Sequence, residues 1–218
     1  MPFDRRGRGL FETATRRWDV AVVKLASRSS ATPIKLAAPS ERQLWKAKTN
    51  AYLAGWGALG AGRPSPDTLR AVRVPIISDQ ACRTAYRGEV YIDVMLCAGS
   101  MGHDACARDS GGPLVVPAGR GQFRLIGSIS WGLDPCGRKP GVYTRLAADP
   151  MQTVLRRMVL SIAAVSAHAS PFAHRHTLAT VPPDHCHFRG RALFAADGAS
   201  VAAYVRNRQR DRRRRGCS

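Results

Sequence analysis

The stretch Gly-His-Asp-Ala-Cys-Ala-Arg-Asp-Ser-Gly-Gly-Pro-Leu, residues 102–114, decides how the chain is interpreted. Small residues surround Ser110, which indicates a turn that exposes one hydroxyl group. The two glycines after Ser110 allow positive φ and the close approach of a ligand, and Cys106 can tie the turn to a second segment. A solvated glycine-rich loop would have a similar composition, so the rest of the chain must distinguish the two interpretations.

Length and charge limit the class of protein. The chain has 218 residues, of which 44% are hydrophobic, enough for one large domain or two small ones. Its formal charge of +19 suggests a nucleic acid or an anionic surface as partner, but from Met151 onward the chain has 12 Arg, 3 Asp and no Lys. Aromatic residues are not interleaved with these arginines in a way that supports base stacking, so we expect a solvated tail. No run reaches the length of a membrane span.

Six cysteines predict disulfide bonds and an oxidising compartment. Four of them, at positions 82, 97, 106 and 136, have separations that loops can bridge. The first nine residues carry charge but no apolar segment, so no signal peptide is expected in this sequence. Cysteine usage and the N-terminal sequence therefore give opposite expectations about the compartment.

Short apolar runs separated by Gly and Pro turns predict an all-β protein, built as an antiparallel barrel or sandwich. Apolar residues at helical spacing then predict an amphipathic helix over 151–166. Residues 1–12 are expected to be a disordered lead-in, and residues 167–218, rich in His, Pro and Arg, a basic disordered tail. The predicted strands lie within residues 18–25, 51–57, 69–77, 94–98, 113–116, 123–131 and 141–146.

The tail also holds a group of imidazole and thiolate side chains, which are zinc ligands in other proteins. Its spacing matches no zinc-finger pattern, so we expect solvated side chains and neither a metal nor another cofactor. The group comprises His174, His176, His185, Cys186 and His187.

Four ordered motifs together resemble the trypsin-like, chymotrypsin-fold serine proteases of family S1. The resemblance covers residues 13–147 and implies an antiparallel β-barrel domain. The second barrel is expected to be nearly complete and the first mostly missing, in a partial protease domain over 13–166 that ends in the helix. The motifs are Asp-Val-Ala-Val-Val-Lys-Leu at 19–25, Gly-Trp-Gly at 55–57, the stretch at 102–114, and Ser-Trp-Gly at 130–132 followed by Pro-Gly-Val-Tyr-Thr at 140–144.

The resemblance implies a nucleophile and the group that orients its base. Ser110 matches the family's nucleophile, and Asp19 matches the acid that orients the catalytic imidazole. A serine hydroxyl becomes a good nucleophile only when a base takes its proton, and a buried carboxylate fixes the tautomer of that base and stabilises its cation. The backbone N–H groups of Arg108 and Ser110 are expected to form the oxyanion hole.

The resemblance also implies a specificity pocket and a substrate-binding strand. Asp104 matches the residue at the base of the primary specificity pocket, and Gly132 and Gly141 match the small residues of its walls. A carboxylate in a narrow slot favours Arg or Lys side chains. Ser130, Trp131 and Gly132 match the strand that pairs with the substrate backbone, and Trp131 also forms the wall of a subsite.

Partners, compartment and disulfides follow from the same resemblance. The implied partners are peptides or proteins with Arg or Lys before the scissile bond, and protease inhibitors; no membrane partner is expected, and the oligomeric state does not follow. The implied location is outside the cell. Cys186 and Cys217 have no counterpart in the family, and the implied disulfides are Cys82–Cys97 and Cys106–Cys136.

The chain departs from the family pattern at the base, the N-terminus and the oxyanion hole. The family's histidine lies in a motif such as Ala-Ala-His-Cys, and none occurs among the 18 residues before Asp19. No Ile-Val-Gly-Gly-like N-terminus is present to neutralise Asp109, whose carboxylate is therefore expected to lack a partner. Arg108 stands where the family has Gly, which costs about 1–2 kcal/mol if the backbone needs positive φ. His103 is expected to be a solvated loop residue.

We therefore expect a serine-type endopeptidase that cleaves after Arg or Lys but is impaired in this chain, because the histidine segment is absent. The alternative is a catalytically inactive protease homologue that binds peptides or proteins through the same cleft. A basic nucleic-acid-binding protein is a remote alternative.

Overall fold

The computed structural model describes residues 11–25, 29, 31–167, 194–195 and 201–204. The described residues form mostly short strands, with two α-helices and one 3-10 helix. In chain order the elements are β1 (Ala21–Lys24), β2 (Lys35–Leu36), the 3-10 helix (Pro39–Trp45), β3 (Asn50–Gly55), β4 (Arg70–Pro75), α1 (Asp79–Ala85), β5 (Met95–Ala98), β6 (Pro113–Pro117), β7 (Phe123–Trp131), β8 (Gly141–Arg145), α2 (Asp149–Ala167), β9 (Phe194–Ala195) and β10 (Val201–Tyr204).

One antiparallel sheet, in the order β4-β3-β6-β7-β8-β5, forms the main body, with β2 paired in parallel to β7. Irregular pairing between Leu114 and Val115, and between Ile129 and Trp131, marks two β-bulges. Because a bulge bends its strand and increases the local twist, these positions curl the sheet. The predicted all-β architecture of antiparallel strands, with a C-terminal helix, is confirmed.

The curled sheet encloses an apolar core because alternate residues of its strands point inward. In β6, Leu114 and Val116 have no exposed surface, whereas the residues between and beside them are more exposed. A second apolar cluster surrounds Cys82, and α2 contributes Met151 and Leu155 to it. No helix among the described residues is long and apolar enough to cross a membrane.

β1 begins later than the sequence pattern predicts. The apolar run from Trp18 predicts a strand over 18–25, but Trp18 has a φ of 58° and the strand starts at Ala21. A residue in the left-handed region cannot continue an extended strand. The turn at Trp18 instead directs Asp19 into the interior, where it is 5% exposed.

The C-terminal region differs from the expectation of a tail that is disordered throughout 167–218. β10 pairs antiparallel with β1, with Ala21 opposite Tyr204 and Lys24 opposite Val201, and β9 pairs with β10. These two strands lie within the region that the sequence predicts to be a disordered tail, and β10 pairs with β1 through backbone hydrogen bonds. Most of the predicted lead-in, the histidine-rich group, Cys186 and Cys217 lie outside the described residues.

Both predicted disulfides are present. Cys82–Cys97 joins α1 to β5, and Cys106–Cys136 joins the segment before β6 to the loop after β7. The second disulfide therefore ties the turn that carries Ser110 to the end of β7.

The Ser110 turn is also anchored by the side chain of Asp109. Its Oδ1 accepts a hydrogen bond from Gly57 N at 2.7 Å, and its Oδ2 accepts one from Cys106 N at 3.0 Å. The expectation of a carboxylate without a partner is therefore wrong, because two backbone N–H groups bind it. Burial nevertheless raises the pKa of Asp109, and the two hydrogen bonds oppose that shift.

Two glycines leave the space that this carboxylate occupies. A Cβ atom at Gly55 or at Gly57 would overlap the side chain of Asp109. Trp56, between them, is 54% exposed. The Gly-Trp-Gly motif is thus explained by contact between its backbone and the Asp109 carboxylate.

We predict that Gly57→Ala destabilises the fold through Asp109. Overpacking typically costs about 1–3 kcal/mol, because the new methyl group must displace a neighbour. In an Asp109→Ala background the same substitution should cost little, since the overlapping atoms are gone. Urea denaturation of the parent, the two single variants and the double variant measures this coupling. An equal cost of Gly57→Ala in both backgrounds would contradict the contact.

Candidate active site

Ser110 lies in the turn between β5 and β6, and backbone hydrogen bonds hold this turn against β7. Gly111 N donates to Ile129 O at 2.8 Å, and Ile129 N donates to Gly112 O at 2.9 Å. Gly111 has a φ of 85°, and a Cβ atom at Gly112 would lie only 2.8 Å from Asp109 O and from Ile129 Cδ1. The two glycines after the serine therefore let the turn lie directly on the strand.

Asp19 is buried next to β7 and β8. Its Oδ2 accepts a hydrogen bond from Ser130 Oγ at 2.6 Å, and its backbone O accepts one from Thr144 Oγ1 at 2.8 Å. Burial raises the pKa of Asp19 to about 6, although the Ser130 hydrogen bond opposes the shift. Asp19 is thus held both through its side chain and through its backbone.

The hydrogen bond from Ser130 depends on the bulge in β7. Ile129 lies opposite Tyr143 and Trp131 lies opposite Val142, so Ser130 is the extra residue of the bulge. An extra residue changes the face to which the following side chains point. Ser130, which is 3% exposed, can therefore turn toward Asp19.

Six of the residues that the resemblance assigns to catalysis or substrate binding line one cleft of about 90 Å³. They come from the Ser110 turn, from β7 and the residues after it, and from β8. Asp19 joins the group through its hydrogen bond to Ser130, whereas Arg108 is not among the residues lining the cleft. The six residues are Asp104, Ser110, Ser130, Trp131, Gly132 and Gly141.

Asp104 is held by the walls of this cleft. Its Oδ1 accepts hydrogen bonds from Ala105 N at 2.8 Å and from the Tyr143 hydroxyl at 3.1 Å. Burial raises its pKa to about 6, a shift opposed by these bonds and by the N–H groups of Gly137 and Gly141. A Cβ atom at Gly141 would overlap the carboxylate. The carboxyl group can therefore lie in the wall only because residue 141 is glycine.

Tyr143 is a residue of the site that sequence reasoning missed. It is fully buried, and the burial together with the nearby Asp104 carboxylate raises its pKa well above the ordinary value. The phenol therefore stays protonated and donates to Asp104. Its position two residues after Gly141 places both on one face of β8, a signal that could have revealed it.

Arg108 has the positive φ for which the family uses glycine. Its φ is 77°, and its Nη1 donates to Ser65 Oγ at 2.9 Å. The preceding carbonyl, Ala107 O, accepts a hydrogen bond from Ala58 N at 2.8 Å. Because C=O and N–H point in opposite directions across a trans peptide, the Arg108 N–H group points away from Ala58.

A second cavity, of about 460 Å³, adjoins the cleft at Asp104 and also contains Asp109 and His103. His103 is the only histidine among the described residues. It is exposed, its Nδ1 lies 3.3 Å from Met101 O, and it does not line the cleft of Ser110. The described part of the chain therefore provides no imidazole in that cleft, and it contains no group of three potential metal ligands.

Comparison with known proteins gives consistent matches. The family model described as Trypsin matches residues 9–151. Serine protease 56 of Homo sapiens is 36% identical over 225 residues, which cover 95% of this chain and 35% of that protein. Transmembrane protease serine 11G of Mus musculus is 40% identical over 136 residues, which cover 59% of this chain and 32% of that protein.

A solved structure agrees with these matches. Neuropsin, a serine protease expressed in the limbic system of mouse brain, has a TM-score of 0.50 and 28% identity, over 66% of this chain and 71% of neuropsin. The chain thus spans 32% to 35% of the length of the two curated relatives. The motifs, the curled antiparallel sheet and the family match agree, and they show that the chain belongs to the trypsin family, the chymotrypsin-fold serine proteases.

Proposed function

We propose that the protein is an endopeptidase that cleaves after Arg or Lys, with Ser110 as nucleophile. The observation that carries this proposal is the single cleft lined by Ser110, Asp104 and the strand residues Ser130 to Gly132. Its substrates are peptides or proteins, and protease inhibitors are further partners. The two disulfides support a location outside the cell.

The proposed chemistry is acyl transfer followed by hydrolysis. The Ser110 hydroxyl attacks the scissile carbonyl while a base takes its proton, the amine leaves with that proton, and water then releases the acyl group. The Asp19 carboxylate orients the base and stabilises its cation. The backbone N–H groups of Arg108 and Ser110 donate to the oxyanion.

Specificity in this proposal comes from Asp104. A guanidinium or ammonium group entering the cleft would meet a buried carboxylate, and Gly132 and Gly141 leave room because they have no side chains. A charge-assisted pair of this kind is stronger than a neutral hydrogen bond. Substrate cations would also lower the raised pKa of Asp104, because an opposite charge favours ionisation.

The base is the part of the mechanism that the described residues do not supply. The printed sequence contains no Ala-Ala-His-Cys motif, and His103 does not line the cleft. Loss of the base in a serine protease costs about six orders of magnitude in rate. We therefore expect the 218 residues by themselves to be impaired. The same observation favours the second candidate, an inactive homologue that binds peptides in this cleft.

We predict that an arylamidine such as benzamidine binds the cleft through Asp104. Asp104→Asn should weaken binding about tenfold or more, because it removes the charge partner. Parent affinity should also fall as the pH drops through about 6, since protonation removes the anion and the pKa of Asp104 is about 6. Calorimetric titration from pH 5 to 8 measures both effects, with Asp67→Asn, an exposed site, as control. Binding that is unaffected by Asp104→Asn would contradict the specificity assignment.

We predict that added imidazole restores Ser110-dependent turnover of an Arg thioester. The added base would take the Ser110 proton in place of the missing imidazole, and general base catalysis contributes about 10²–10⁴-fold. Ser110→Ala and Asp19→Ala should abolish this gain, and the Ser110→Ala rate also serves as the blank for hydrolysis by free imidazole. A fluorophosphonate probe should label Ser110 under the same conditions.

Three outcomes separate the candidates. Ser110-dependent turnover without imidazole would refute the expected impairment. Rescue that persists in Ser110→Ala would refute the nucleophile. Amidine binding with neither rescue nor labelling would favour the peptide-binding homologue.

A further inference from the structure

A short closed turn places Arg16 beside the cleft. Arg16 N donates to Glu12 O at 2.7 Å, and a bridge between Glu12 and Arg17 closes the turn. Thr15 Oγ1 donates to Glu12 Oε2 at 2.6 Å within it. The turn ends at Arg17, two residues before Asp19, and hydrogen bonds from Ser130 and Thr144 hold Asp19 against β7 and β8. Arg16 therefore projects from a closed turn that is followed closely by the buried Asp19.

The Arg16 guanidinium lies over a wall of the cleft. Its central carbon is 4.4 Å from the centroid of the Trp131 ring, and the ring of Tyr86 packs edge-on against Trp131 at 4.9 Å. Trp131 lines the same cleft as Ser110. The guanidinium therefore stacks at a cation–π distance on the indole ring, while the rest of the exposed side chain stays in solvent.

Charge is arranged asymmetrically around this cleft. Arg17 pairs with Asp93 at 2.7 Å, but no salt bridge among the described residues includes Arg16. A second cation, Lys139, lies over the Tyr86 ring at 5.5 Å. The aromatic wall thus has two positive groups against it, whereas the carboxyl group of the half-buried Asp104 lines the same cleft.

We propose that Arg16 makes the cleft selective for substrates with an acidic residue shortly before the Arg or Lys at the scissile bond. This proposal rests on the proposed function, in which the substrate backbone pairs along Ser130 to Gly132. When the Arg or Lys side chain of an extended substrate is bound at Asp104, the substrate residues before it run past Trp131 at about 3.3 Å per residue. A carboxylate two to four residues before the scissile bond can then form a charge-assisted hydrogen bond with Arg16.

Binding of short peptides tests the proposal without requiring turnover. The probes are acetyl-Glu-Gly-Arg-amide and its Gln and Lys counterparts, together with peptides in which Glu occupies the neighbouring positions. The Glu peptide should bind about three- to fivefold more tightly than the Gln peptide at low salt, and the Lys peptide more weakly than either. The preference should shrink at high salt because the pair is exposed.

Arg16→Gln should remove the difference in affinity between the Glu and Gln peptides. Arg120→Gln is the matched control, because Arg120 is also an exposed turn arginine with positive φ, 50° against 57° for Arg16. Arg16→Lys keeps the charge, so part of the preference should remain, and this variant preserves the test if Arg16→Gln does not fold.

Failure of the proposal can be told apart from failure of the proposed function. If the Glu and Gln peptides bind with equal affinity, and Asp104→Asn abolishes the binding of both, the role of Arg16 is overturned. The assignment of Asp104 to the Arg-binding pocket is then still supported. No Asp104-dependent binding of any Arg peptide would overturn the proposed function, and the inference with it.

Discussion

The bulge at Ser130 in β7 is the constraint on which the site depends. On one side of it, Ile129 exchanges backbone hydrogen bonds with Gly111 and Gly112 and so holds the Ser110 turn. At the bulge itself, the Ser130 hydroxyl binds the Asp19 carboxylate. In a regular strand, successive side chains point to opposite faces without interruption. The one additional residue in β7 therefore determines how the serine turn, the Asp19 carboxylate and the Trp131 ring are placed relative to one another.

Three buried or half-buried carboxyl groups in and around the site lower the stability of the fold when they are ionised. Burial raises the pKa of Asp19 and of Asp104 to about 6, and it also raises that of Asp109. An acid whose pKa is higher in the folded than in the unfolded state favours folding most when it is protonated. Its contribution therefore declines as the pH rises from the unfolded pKa, near 4, through the folded pKa. At a pH above about 6, ionisation of Asp19 and Asp104 therefore lowers the stability of the fold, and interactions elsewhere must compensate for it.

Much of the fold and the site could be predicted because local motifs carry them. The serine turn, the glycines at 132 and 141 and the two disulfides each have a sequence signature. Other features arise from contacts between distant segments. One of the two amide partners of Asp109 comes from the distant Gly57, and Tyr143 meets Asp104 only after β8 pairs with β5 and β7. For Gly57 and Asp109, neither spacing nor composition encodes such a meeting, whereas Tyr143 is indicated only by its spacing from Gly141. The late start of β1 and the strands of the C-terminal region were missed for the same reason.

The Cys106–Cys136 disulfide closes a covalent ring that contains β6, β7 and Ser110, with a sequence separation of 30. Several arginines lie inside this ring, among them Arg108, Arg120 and Arg124. A single cut of the backbone anywhere within it leaves the two pieces joined through sulfur. A chain nicked after one of these arginines would thus keep Ser110 and the wall of its cleft in one molecule, and the nick would become visible as separate fragments only after reduction.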